Sequence, residues 1–306
     1  MDSISKEHKR SILKEIQNGE ISLLKNTKIK YPDFHWNEIY YEKTGDSILH
    51  VASHHDIKNR DDKTPLHEAA QFARYDSILE LCSFDANVNV IRRGDWTPLM
   101  LACTKIKSDI NYKIVVKLVE KGAHINAQNK DGWTCAHILA REGCIEIYDH
   151  LISNGLNVNI KTKNGRTALH IACLHGHKDL IAILLKYIDI NTTDNCGNTP
   201  LHEAILGKNI EIATMLIQNG AEIKAKNNSD FNLLHLAASQ DNTTMLDYLI
   251  NGLQININIQ NKNGWTPLHC AARKGLKNIY YYLEKNGANT NIKDNYNRTA
   301  LDYISI

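Results

Sequence analysis

The sequence has little charge imbalance, no paired cysteines and no long apolar run, and each absence closes off a class of function. With 36 Lys and Arg against 34 Asp and Glu the formal charge is only +2, so no global field argues for nucleic acid or an anionic membrane surface. The seven cysteines are scattered with no C-x-x-C pair, the pattern of reduced, packed thiols rather than of a disulfide framework. No apolar stretch approaches membrane-spanning length, and no signal-peptide pattern precedes the cysteines. The expected setting is therefore the cytoplasm, with the nucleus also open. There is no phosphate-binding loop and no Ser-His-Asp order, so neither an enzyme nor a cofactor is expected.

What is present is repetition. The stretch Asn129-Lys-Asp-Gly-Trp-Thr-Cys-Ala-His137 returns in close variants along the chain. Aligned on its Thr, the copies are Ser47-Ile-Leu-His50, Thr64-Pro-Leu-His67, Thr97-Pro-Leu-Met100, Thr134-Cys-Ala-His137, Thr167-Ala-Leu-His170, Thr199-Pro-Leu-His202, Asn232-Leu-Leu-His235, Thr266-Pro-Leu-His269 and Thr299-Ala-Leu-Asp302. From Thr64 onward they recur at a spacing of about 33 residues, a period that identifies an array of stacked units.

Each unit has a local logic. Thr64 is placed to cap a helix and Pro65 fits its first turn, while Leu66, Ala69 and Ala70 supply a narrow apolar stripe that lets paired helices approach closely. In the next unit Ile114, Val115, Leu118 and Val119 mark a second helix, ended by Gly122, with Gly155, Gly220, Gly252 and Gly287 in the same place. Polar stretches such as Asn126 to Gly132 and Asn157 to Gly165 suit tight hairpins. Two spacings depart from the period. Ser47 to Thr64 is 17 residues, so a second helix is missing there and an incomplete sequence is favoured; Thr97 to Thr134 is 37, which places an insertion in the loop around Lys105 to Asn111. Ahead of the array, residues 1–43 carry helical spacing at Ile12, Leu13 and Ile16 and read as a polar helical cap and linker.

Residues 44–306 resemble the ankyrin-repeat family. The resemblance implies an all-α ankyrin-repeat solenoid of helix pairs joined by β-hairpin loops, with about eight to nine units. It assigns His67, His137, His170, His202, His235 and His269 to scaffolding, through bonds that Met100 and Asp302 would lose. It also implies that partners dock on a concave face of hairpin tips and first helices. Mapped onto this chain, that face carries Arg60, Lys63, Arg93, Trp96, Lys130, Trp133, Arg141, Lys163, Arg166, Lys262, Trp265 and Arg298. Three of the four tryptophans share one place in the repeat, and a basic, aromatic stripe on a nearly neutral chain points to a protein partner with an acidic surface. The plainer reading is that these tryptophans only pack on their neighbours. His50, His54 and His55 have helical spacing but no further ligand nearby, so no metal is expected. RNA binding is a weaker alternative, because the aromatics come one per unit and not as a dense platform. A monomer is expected, with no membrane and no direct nucleic acid contact.

A narrower resemblance lies within that family. Asp95 to Thr104, Asn129 to Trp133 with Arg141 to Gly143, and Asp194 to Gly197 resemble a member that partners alanyl-tRNA synthetase. This implies docking on the synthetase catalytic domain and acceptance of misactivated serine on lysine side chains. Lys130 matches an acceptor position without a gap, Lys161 matches a second with two residues gapped, and a third falls on Arg93, which cannot serve as an amine acceptor.

Overall fold

The computed structural model describes residues 62–304, apart from 84, 105, 107 and 108. The expectations for residues 1–43, the short copy at Ser47, the three histidines His50, His54 and His55, and Arg60 lie outside the described residues. From Asp62 the chain forms helix pairs, in two compact units that meet in sequence at Asn157 and Val158.

In the first unit the pairs are α1 (Pro65–Gln71) with α2 (Tyr75–Ser83), α3 (Pro98–Ala102) with α4 (Asp109–Glu120), and α5 (Cys135–Glu142) with α6 (Ile145–Ser153). First helices stack on first helices, α1 on α3 and α3 on α5, and second helices do likewise, α2 on α4 and α4 on α6. The second unit repeats the scheme with α7 (Ala168–His175) and α8 (Lys178–Leu184), α9 (Pro200–Leu206) and α10 (Ile210–Gln218), α11 (Leu233–Ala238) and α12 (Thr243–Asp247), and α13 (Pro267–Arg273) and α14 (Lys277–Lys285). A 3-10 turn, Leu301–Tyr303, closes it against α13. Between second helices of this unit, the Thr214 hydroxyl donates to Tyr248 Oη at 2.9 Å and Tyr282 donates to Asp247 at 3.0 Å.

The residue types explain the layering. First helices are buried almost all round, as in α3, where Pro98 to Ala102 are all buried. Small side chains among them, such as Ala102, Ala140, Ala172 and Ala204, allow close approach on several sides. Second helices bury one face only, as with Ile147, Tyr148 and Leu151 of α6, and leave the other polar. Truncating a wholly buried leucine such as Leu169 to alanine would cost on the order of 2–5 kcal/mol.

The Thr-x-x-His pattern works as a reciprocal cap. At Thr64, Thr134, Thr167, Thr199 and Thr266 the backbone N–H donates to Nδ1 of the histidine three residues on, at 3.1–3.2 Å. Asn232 reproduces it with a side-chain oxygen that accepts from His235 N at 3.1 Å. The far ring nitrogen then ties unit to unit: Nε2 of His67 meets the Trp96 carbonyl at 3.1 Å, His170 that of Asn198 at 3.0 Å, His235 that of Trp265 at 2.9 Å and His269 that of Arg298 at 3.2 Å. A ring that accepts at Nδ1 and donates at Nε2 is the neutral tautomer. Burial accordingly holds His170, His202 and His235 down at about 4, with backbone carbonyls opposing the shift. His202 is the weak link, its Nε2 buried and left without a well-formed bond.

Four expectations are corrected. Asp302 keeps the cap rather than losing it, since its carboxylate accepts from Thr299 N at 2.7 Å and Thr299 Oγ1 at 2.8 Å. At Met100 half the tie survives, because Thr97 Oγ1 still accepts from Met100 N at 3.2 Å. The insertion after Thr97 is not all loop: Asp109 to Asn111 are helical, Asn111 is buried, and its side-chain amide donates to the Ala102 carbonyl at 3.1 Å. Gly252 also differs from Gly122, for the chain passes through a π-helical turn, Tyr248–Gly252, and the left-handed residue is Gln254 at φ 54°. That turn absorbs the one extra residue between Asn232 and Thr266, spaced 34 apart. The hairpin loops hold no named strand among the described residues, only one isolated bridge between Arg92 and Trp96.

Candidate functional site

Five of the described hairpins are built by one Asn or Asp at the base. The side-chain oxygen of Asn129 accepts from the amides of Asp131 and Trp133, both at 2.9 Å. Asp194, Asn227, Asn261 and Asp294 do the same for the residues two and four places on, at 2.8–3.0 Å. Short polar side chains suit this local turn, and a backbone pair such as Asn129 N to the Trp133 carbonyl at 2.9 Å closes it. Successive hairpins within a unit are then stitched together: Lys130 N donates to the Gly94 carbonyl, Asn195 N to Asn164, Asn228 N to Cys196 and Asn295 N to Asn263, at 2.8–3.1 Å. A row of tips with fixed spacing results, a preorganised surface on which side chains are displayed at little entropic cost.

The expected site residues fall into three groups. Arg93, Lys130 and Lys163 are exposed at hairpin tips. Lys161 leans on the next hairpin and Lys262 on the preceding one, their Nζ atoms donating to the carbonyls of Thr193 at 2.9 Å and Asn228 at 2.6 Å. Of the remaining cations, Lys63, Arg141 and Arg166 are engaged by acids, which the sequence did not reveal, while Arg298 stands against aromatic rings. Lys63 pairs with Glu68 at 3.1 Å, and Arg141 gives Nε and Nη2 to Glu142 at 3.1 and 2.9 Å.

Arg166 is the clearest departure from a free docking cation. It reaches Glu203 at 2.6 Å and lies 3.7 Å from Asp194. Glu203 is 0 % exposed and its second oxygen has no partner. Burial pushes its carboxyl upward, Asp194 adds to that, and Arg166 opposes it. Arg166 therefore serves the fold, as counter-ion to a buried acid.

The three tryptophans among the described residues, Trp96, Trp133 and Trp265, are half-buried and each carries a cation. Arg92 lies 5.4 Å from the Trp96 ring centroid, Arg141 5.7 Å from Trp133 and Arg273 3.5 Å from Trp265. Trp133 and Trp265 also neighbour the capping histidine or the preceding aromatic, with His137 at 5.9 Å and Phe231 at 6.4 Å respectively. Each of the three is thus partly covered by its own repeat's side chains and partly exposed in the tip region. Sequence reasoning missed Arg273, although it stands eight residues after Trp265 as Arg141 stands after Trp133. It also missed Tyr296 and Tyr303, which only the fold brings to Arg298, at 5.1 and 4.9 Å.

Comparison with known proteins agrees with this architecture. Family models described as ankyrin repeats match residues 17–129, 106–194, 136–227 and 234–306, and a further one matches 207–250. The chain is 34% identical to alpha-latrotoxin-Lg1a of Latrodectus geometricus over 187 residues, 61% of this chain and 12% of that protein. It is 26% identical to human transient receptor potential cation channel subfamily A member 1, covering 86% of this chain and 27% of that protein. The chain thus spans only a small part of the length of these relatives. A crystal structure of the human ASB11 ankyrin repeat domain superposes with a TM-score of 0.63 at 24% identity, over 74% of this chain and 99% of that domain, which shows the fold.

Proposed function

The chain belongs to the ankyrin-repeat family, and from that premise we propose that it is a non-catalytic adaptor which docks a partner protein on the hairpin-tip face of its repeats. The observation that carries this is the display of Arg93 and Lys130 on hairpins locked to one another through Lys130 N and the Gly94 carbonyl. Cations held on a rigid row, with half-buried Trp96 and Trp133 beside them in sequence, have the composition of a binding hot spot.

A finer reading names the partner as alanyl-tRNA synthetase, bound at its catalytic domain, with serine accepted on Lys130. Its support is the likeness of the segments Asp95 to Thr104, Asn129 to Trp133, Arg141 to Gly143 and Asp194 to Gly197 to ankyrin repeat domain-containing protein 16. In that chemistry the neutral lysine amine attacks the carbonyl of the seryl adenylate and AMP leaves. Lys130, exposed at its tip, is better placed for it than Lys161, whose ammonium is bonded to Thr193.

A titration of the chain against the synthetase catalytic domain, beside Trp96→Ala, Trp133→Ala and Lys130→Arg, tests both levels. The expected result is saturable binding, weakened by at least about 1 kcal/mol in either tryptophan variant. Lys130→Arg should bind as the wild type yet take up no serine. Serine transfer unchanged in Lys130→Arg would remove that lysine from the chemistry, and no binding at all would remove the synthetase while leaving the adaptor in search of another partner.

A further inference from the structure

Two arginines in the second unit have no acid of their own. Arg273, in the last turn of α13, lies over Trp265 with its guanidinium carbon 3.5 Å from the ring centroid and 5.6 Å from the Tyr303 ring. Arg298, at the end of the last hairpin, stands 4.9 Å from the same Tyr303 ring and 5.1 Å from that of Tyr296. Both are exposed, and neither guanidinium makes a hydrogen bond or ion pair among the described residues. The contrast with their counterparts is direct, since Arg141 is engaged by Glu142 and Arg166 by Glu203.

Nearby carboxylates exist but are occupied by neutral donors. Asp294 is buried and accepts from Tyr303 Oη at 2.5 Å, Trp265 Nε1 at 3.2 Å and the amides of Tyr296 and Arg298. Desolvation would raise its carboxyl, yet these bonds outweigh that and hold it down at about 2, so it stays ionised. Its effect is to fix the Trp265 and Tyr303 rings on which the arginines rest. Asp302 is taken up by Thr299 N and Oγ1.

A guanidinium laid on a ring face keeps its N–H edge open. The ring quadrupole holds it in place, so little side-chain entropy remains to be lost when the edge meets a planar two-oxygen acceptor. Two such forks flank one phenol ring, and Tyr296, 67% exposed, adds an apolar surface beside them. We propose that Arg273 and Arg298, mounted on Trp265, Tyr296 and Tyr303, form a site for an acidic peptide segment of a partner protein, each arginine gripping one carboxylate. The site rests on the docking reading above and deepens it by naming the partner chemistry. A polyanion such as RNA is disfavoured, because Asp294 and Asp302 sit within the same cluster and the chain is nearly neutral overall.

The test uses a short glutamate-rich peptide, its glutamine counterpart and a single-stranded oligonucleotide, titrated into the full chain labelled with nitrogen-15. The readout is the indole N–H of Trp265, assigned by comparison with Trp265→Phe. The glutamate peptide should shift that resonance saturably and the glutamine peptide should not. Arg273→Ala and Arg298→Ala should each weaken binding by about tenfold, the loss of one charge-assisted bidentate contact. Arg273→Lys, which keeps the charge and loses the fork, should recover only part of it. Lys274→Ala, which changes charge nearby without touching the rings, should alter binding by less than about twofold. Equal response to the two peptides, indifference to both arginine variants, or tighter binding of the oligonucleotide would each overturn the site. Such a failure leaves docking on the other hairpins standing, since that reading falls only if partner binding ignores both Trp96→Ala and Trp133→Ala.

Discussion

At the scale of single residues, the histidines and Arg166 carry the sharpest consequences. His170, His202 and His235 sit at about 4 in the folded chain because burial penalises the imidazolium, against roughly 6.5 in an unfolded one. Between those values the unfolded chain binds protons that the folded chain refuses. Their contribution to stability is therefore complete above about pH 6.5 and is lost as pH falls toward 4. Urea midpoints measured from pH 7 to 5 should drop, with roughly 1–2 kcal/mol lost per histidine, and a flat profile would contradict the neutral tautomer assigned here. Arg166 gives a second expectation. Arg166→Ala strands Glu203 in the interior and should cost about 3 kcal/mol, whereas Arg166→Leu combined with Glu203→Leu should recover most of it. Recovery would mark the pair as a fold device, and a stable single alanine variant would show that water reaches Glu203. This residue-scale chemistry was only half visible in the sequence. The Thr-x-x-His cap spans three residues and could be read directly, but Arg166 and Glu203 are 37 apart, so nothing local distinguished a counter-ion from a docking cation.

At the scale of elements, the hairpin tips are rigid because each stands against the next. A methyl group added to Gly165 would meet Asn195 Oδ1 at 2.3 Å and Asn195 N at 2.6 Å, on a backbone with φ +76°. The same addition at Gly122, with φ +84°, meets nothing within 4 Å. Both substitutions bear the left-handed strain of roughly 1–2 kcal/mol, but only Gly165→Ala also has to push a neighbouring backbone aside. Thermal unfolding should therefore place Gly165→Ala clearly below Gly122→Ala, and equal melting points would mean the hairpin stitching yields easily. Helix starts and pairing could be read from capping residues and period, because both are local. The π-helical turn before Gly252 and the helical Asp109 to Asn111 could not, since each depends on where a whole unit must end to stay in step with its neighbours.

At the scale of the molecule, stability is a sum over neighbours rather than a property of one core. A unit in such an array buries its helices chiefly against the pair before and the pair after, as α9 does between α7 and α11. Damage should therefore stay local. If Arg166→Ala strands Glu203 of α9, amide exchange should accelerate from α7 through α11, while α1 to α5 keep their protection. A uniform loss of protection along the chain would instead require one cooperative unit and contradict the neighbour-by-neighbour account. The same locality lets function vary along the array. Because the Thr-x-x-His cap and the Asx residue at most hairpin bases secure the backbone, the tip side chains are left free to differ. They do so in the described structure, from acid-paired Lys63 to backbone-bonded Lys262 and the ring-mounted Arg273 and Arg298. Substituting a tip side chain such as Lys130 or Lys163 should then change binding with no more than about 0.5 kcal/mol of stability, and a larger loss would show that the tips belong to the scaffold after all.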